Sequence, residues 1–192
     1  MAFHIALAWV AFSPLWLYKY GHSKHVGFLA MRKVVISLFA FLAATGFAMA
    51  EDAGCEAFKW PVTREQALFP AAPATPSGAP LAVGTAADLA LVPVEQAGFT
   101  QPPERAPAAG TFGAVASIAV PPDGAIQISL SGEAWIDVIQ DGKAVKSSAY
   151  SGVKTCPGIR KSVRFKLAAG PATVQFSGAK KAGLKVAVLA PE

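Results

Sequence analysis

From Thr111 to the C-terminus a turn signal interrupts the chain about every ten residues, which leaves room only for short strands. The signals are Pro121-Pro122-Asp123-Gly124, Ser131-Gly132, Asp141-Gly142, Ala169-Gly170-Pro171 and Ala182-Gly183. Proline presets φ, glycine supplies positive φ, and Asp and Ser side chains bond their own backbone. The intervening segments, 112–120, 125–130, 134–140, 143–150, 162–167, 172–176 and 184–189, read as strands. Apolar residues alternate in Ile126/Ile128/Leu130, Val163/Phe165/Leu167 and Val174/Phe176, as expected of strands with one buried face. Asp141-Gly142 predicts a two-residue hairpin of the I′ type, because both residues tolerate positive φ. About seven short strands predict an all-β fold, an antiparallel β-sandwich of jelly-roll-like kind. No run offers the long helices of an α/β alternative.

The N-terminal part reads differently. Met31-Arg32-Lys33 precedes an apolar run that closes on Ala48-Met49-Ala50, ahead of Glu51-Asp52. A positive n-region, an apolar h-region and an A-x-A exit make residues 31–50 a secretory signal peptide. Residues 1–30 then read as an upstream extension from a mis-assigned start, with a membrane helix or a long n-region as alternatives. Cleavage after Ala50 predicts one mature domain, 51–192, that is periplasmic or secreted and meets the membrane only through the signal segment before cleavage. His4, His22 and His25 all lie in the leader, so the mature part has no histidine. It therefore lacks the usual general base, the usual hydrolase triad and the commonest metal ligand. No Gly-rich phosphate loop follows a strand, and no cofactor is expected.

Trimming also changes the charge. Lys19, Lys24, Arg32 and Lys33 leave with the leader but no acid does, so the mature part is nearly neutral and nucleic acid is not an expected partner. The remaining charge is uneven: Glu51 to Asp141 is mostly acidic, while Gly142 to Glu192 is basic apart from its last residue. Either the two halves attract one another within the fold, or a basic face meets an anionic partner.

Cys55 and Cys156 are the only cysteines, and export predicts that they bond. Ala53-Gly54-Cys55 also has the last three positions of a lipobox, but Asp52 stands where an aliphatic residue is wanted. Segment 51–110 reads as a capped helix followed by a Pro-rich extended stretch. Thr63-Arg64-Glu65-Gln66 fits a capping box, with Thr63 as N-cap and Gln66 reaching back. Pro70 to Pro80 predicts a surface linker, and Leu89 to Val92 an edge strand that Pro93 limits. The sandwich core is expected over 111–192.

Two constellations are candidates for binding. On a strand Glu133, Trp135, Asp137 and Ile139 share one face. Acids beside a tryptophan suit a sugar platform, a calcium ligand pair or a carboxylate hydrolase; alternatively Trp135 is core and the acids pair with Lys143 or Lys146. The second is Arg160, Lys161, Arg164 and Lys166, with Lys180, Lys181 and Lys185 on later strands. With Val163, Phe165 and Leu167 inward, Ser162, Arg164 and Lys166 face outward. Such a face suits an anionic glycan, a lipid head group or an envelope protein, or serves solubility and edge protection.

The segments 134–143, 166–176 and 184–189 resemble strands of carbohydrate-binding-like and pre-peptidase C-terminal β-sandwich modules, which share the Asp-Gly hairpin and the Ala-Gly-Pro turn into a late strand. Cys55-Glu56-Ala57-Phe58-Lys59-Trp60-Pro61 and Pro103-Glu104-Arg105-Ala106 resemble short secreted alphaproteobacterial proteins, some of which carry the name homogentisate 1,2-dioxygenase. That name implies an iron oxygenase with histidine and glutamate ligands on a larger cupin chain, and the mature part has no histidine for those roles. The expectation is a non-catalytic binding or envelope-accessory module, with an oxygenase or a carboxylate hydrolase as the alternative.

Overall fold

A computed structural model of the chain describes residues 54–192. The signal-peptide and upstream-extension readings fall on residues 1–50, outside the described part.

The described residues form a β-sandwich of two six-stranded sheets. Sheet A has the order β1 (Ala74–Pro76), β3 (Thr85–Ala90), β12 (Gly183–Leu189), β6 (Ala125–Leu130), β10 (Lys161–Lys166) and β9 (Ala149–Gly152). Sheet B has the order β2 (Pro80–Leu81), β5 (Phe112–Val120), β11 (Gly170–Ala179), β7 (Trp135–Gln140) and β8 (Lys143–Val145), with β4 (Val92–Pro93) also paired to β5. Pairing is antiparallel except for the short edge strands β1 and β2, which run parallel to β3 and β5.

The alternation seen in the sequence builds the core. Ile126, Ile128, Leu130, Val163, Phe165, Leu184, Val186 and Val188 of sheet A meet Ala116, Ile118, Ile136, Val138, Val174 and Phe176 of sheet B in one buried cluster. Asp141 and Gly142 take φ of 51° and 70°, and Gln140 pairs with Lys143 across that turn, as the Asp-Gly signal predicts.

The chain departs from the sequence-based expectations in four places. The 143–150 segment is two strands, not one. β8 pairs with β7 in sheet B and β9 with β10 in sheet A, so Lys146-Ser147-Ser148 carries the chain from one sheet to the other. β3 lies inside sheet A, because β12 takes one edge of it and β1 the other. The Pro-rich 70–80 stretch supplies β1 and β2, both at sheet edges where proline is tolerated. Helix α1 (Thr63–Leu68) has Val62, not Thr63, at its N-cap and no side-chain cap bond. Burial of Val62 fixes where the helix starts, and Gln66 turns its Nε2 to Cys55 Sγ at 3.3 Å instead of back to the cap.

Both outer faces are covered. On sheet A the 55–72 segment lays Phe58, Val62 and Phe69 over Ala86, Ala187 and Leu189, in a second cluster with Val153, Cys156 and Ile159. Each buried phenylalanine contributes roughly 1.5–3 kcal/mol by removal from water. The Cys55–Cys156 disulfide, closed across 101 residues of sequence, pins this cap. On sheet B the 94–111 strap is held by Gln175, which is fully buried. Its Oε1 accepts from Thr100 N (2.6 Å), Thr100 Oγ1 (2.9 Å) and Gln101 N (3.2 Å), and its Nε2 donates to Gln101 O (3.0 Å).

Candidate functional site

Strand β7 puts Ile136 and Val138 in the core, so Trp135 and Asp137 point to the outer face of sheet B. Across the ladder Trp135 opposes Ser177 and Asp137 opposes Gln175. Between Phe176 and Ala179 the β11–β5 register shifts, and Gly178 takes φ of 74° there. A bulge of this kind ends regular pairing and re-aims its neighbours. Beside it a cleft of about 580 Å³ opens, walled by Arg105 to Ala108 of the strap, by Glu133 to Trp135, by Arg160 and Lys161 at the start of β10, and by Ser177, Gly178 and Lys180. Tyr150 stands at its edge with 54% of its surface exposed.

The charges in the cleft are unequally matched. Arg160 Nη2 lies 3.0 Å from Glu133 Oε1 and Lys180 Nζ 3.8 Å from Glu133 Oε2. The Arg160 hydrogen bond and charge, followed by Lys180, hold the Glu133 carboxyl below its usual range. Asp137 is buried, and burial pushes its pKa up. The Trp135 indole N–H, donating to Asp137 Oδ1 at 3.0 Å, and the nearby Glu104 backbone amide oppose that shift. Asp137 Oδ2 and Ser177 Oγ are buried with no hydrogen-bond partner among the described residues.

Lys161 differs from the other bases. Its Nζ lies 5.6 Å from the centroid of the Trp135 ring, and among the described residues it has no carboxylate within 4 Å. Burial, and then the neighbouring Arg160, push its pKa down to about 8, against the pull of Asp137 and Glu133. The cleft thus holds a half-buried ammonium beside an indole face, with three further cations on its walls.

The structure gathers Glu133, Trp135 and Arg160 in this cleft and sets Asp137 behind the Trp135 indole. Arg164 and Lys166 are elsewhere, on sheet A. Lys166 is exposed, but Arg164 lies partly under the cap, its guanidinium carbon 4.2 Å from the Trp60 ring centroid. Its Nε donates to Gln127 Oε1 (2.8 Å) and its Nη2 to Glu192 O (3.3 Å). Ser162 is fully buried beside it. The outward row on β10 therefore meets the N-terminal cap, not open solvent, over most of its length.

Sequence reasoning missed Arg105, Tyr150 and Ser177, which come to the cleft from separate elements; only the β7–β11 register places Ser177 opposite Trp135. It also missed Glu65, only 1% exposed between α1 and sheet A. Glu65 Oε1 accepts from Gln127 Nε2 and Ser129 Oγ, each at 2.7 Å. Ser162 Oγ lies 2.8 Å from Ser129 Oγ and accepts from Trp60 Nε1 at 3.0 Å. This polar layer glues the cap to the sheet, since each buried donor left unmet would cost about 1–3 kcal/mol.

Glu133, the acid lining the cleft, is engaged by Arg160 and Lys180. The arrangement favours holding an anion against an aromatic face. No protein-family model, no curated protein and no solved structure matches this chain.

Proposed function

We propose that this protein is an exported, non-catalytic binding or envelope-accessory module whose Trp135 cleft holds an anionic glycan. One observation carries the reading: Lys161 is partly desolvated beside Trp135 with no acid within salt-bridge reach among the described residues. A desolvated charge raises the free energy of the empty site, and an arriving anion recovers it. Arg105 and Lys180 add attraction at longer range. Trp135 and the exposed Tyr150 offer apolar faces of the kind on which a sugar ring packs. The Cys55–Cys156 bridge is compatible with an oxidising compartment, as export would require.

Calorimetric titration with acidic and neutral oligosaccharides of matched length tests the reading. The acidic series should bind at least about tenfold more tightly, which is 1.4 kcal/mol. Trp135→Ala and Lys161→Gln should each weaken it by a similar factor. Equal binding of both series, or acidic binding indifferent to both substitutions, refutes it. So does capture by anionic lipid vesicles that survives Trp135→Ala, since a head group needs the charge but not the ring.

A further inference from the structure

The amine of Lys161 has chemistry beyond attraction. Its Nζ sits in a cleft, over an indole ring, with no hydrogen bond and no salt bridge among the described residues. Glu133, the nearest exposed acid on the walls, is already shared between Arg160 and Lys180. Arg105, Arg160 and Lys180 surround the space with positive charge.

We propose that Lys161 is a nucleophilic amine that condenses reversibly with small anionic carbonyl compounds of the 2-oxo acid class. The Nζ lone pair adds to the carbonyl carbon, and the carbonyl oxygen takes a proton to give a carbinolamine. Loss of that oxygen as water leaves an imine between Nζ and the former carbonyl carbon. No electrons are gained or lost, and hydrolysis reverses the step. The wall cations draw the carboxylate.

The groups facing Nζ set its readiness. Burial and the charges of Arg160 and Arg105 favour the neutral amine, while Asp137 and Glu133 favour the ammonium, and the balance stands at about 8. Near neutral pH an ordinary lysine is neutral in roughly one molecule in a thousand or fewer. Low-pKa lysines in apolar surroundings are the ones that form Schiff bases. This inference uses the cleft but not its sugar preference, so the two fail separately.

The full chain is incubated with glyoxylate and cyanoborohydride at pH 7, which fixes an imine as a stable secondary amine, and the labelled lysines are mapped by mass spectrometry. Lys161 should be labelled at least about tenfold faster than the exposed Lys143 and Lys166, with a rate that rises through an apparent pKa near 8. The preference should shrink when uncharged acetaldehyde replaces glyoxylate. Labelling of Lys161 no faster than of Lys143, or with an ordinary lysine profile, overturns the proposal. An equal preference with acetaldehyde overturns the assignment to an anionic compound. The wild-type protein serves throughout, so no variant has to fold.

Discussion

Lys161 and Trp135 show how much a single environment changes a residue. As a letter in the sequence Lys161 is one of several bases on a strand. In the fold it is partly desolvated and held against an aromatic ring, so its proton is lost more easily than an ordinary lysine's. The pH dependence follows with a definite sign. Below about 8 the amine is charged in the empty cleft, and an anion binds at full strength. Above that pH the free protein loses the proton that the bound state would keep, so affinity should fall and level off near the roughly tenfold loss expected of Lys161→Gln. A calorimetric pH series from 6 to about 10 checks this; Lys161→Gln should flatten it. The same depressed pKa means that the unfolded chain binds more protons between about 8 and the ordinary lysine value of 10.5. This group alone therefore makes stability rise with pH across that window.

At the scale of elements, turns and bulges decide where strands end, and two glycines separate conformational strain from crowding. Gly142 has φ of 70°, but a Cβ there would meet nothing within 4 Å. Gly124 has φ of 68°, and a Cβ there would collide with the Leu167 carbonyl oxygen. Leu167 N also donates to Gly124 O at 2.7 Å, so the β5–β6 turn and the end of β10 are locked together. Gly142→Ala should cost about 1–2 kcal/mol from the left-handed conformation alone. Gly124→Ala should cost over about 3 kcal/mol, because backbone must move as well. Urea denaturation of both variants checks the difference, and similar losses would contradict the crowding. The strand limits near these turns were readable from Asp, Gly and Pro. The break between β8 and β9 was not, because Lys146-Ser147-Ser148 carries no strong turn residue and the change of sheet is imposed by the partners on either side.

For the molecule as a whole, the N-terminal cap is the part that a bare sandwich lacks. Its attachment combines the second apolar cluster, the Glu65 polar layer and the disulfide. Replacing Cys55 and Cys156 together by Ser should lower stability by about 2–5 kcal/mol, since the bridge closes so long a loop in the unfolded chain. Loss of the cap should also expose Trp60, which an earlier, separate shift in tryptophan fluorescence during urea unfolding would reveal. A midpoint unmoved by the double substitution would show that packing alone holds the cap. The sequence by itself determined the all-β class, most strand limits, the I′ hairpin and the cysteine pairing, because alternation, turn chemistry and cysteine number act locally or by elimination. It also placed Trp135 and Asp137 on one face of β7, since side chains on a strand repeat every two residues, whereas Glu133 precedes the strand. Only the tertiary structure decided which faces are open. The cap that buries Ser162, half-buries Arg164 and encloses Glu65 comes from the other end of the chain, and the cleft joins residues from the strap, two sheets and a bulge. Such meetings depend on long-range register and on burial, and neither is written in any local run of residues.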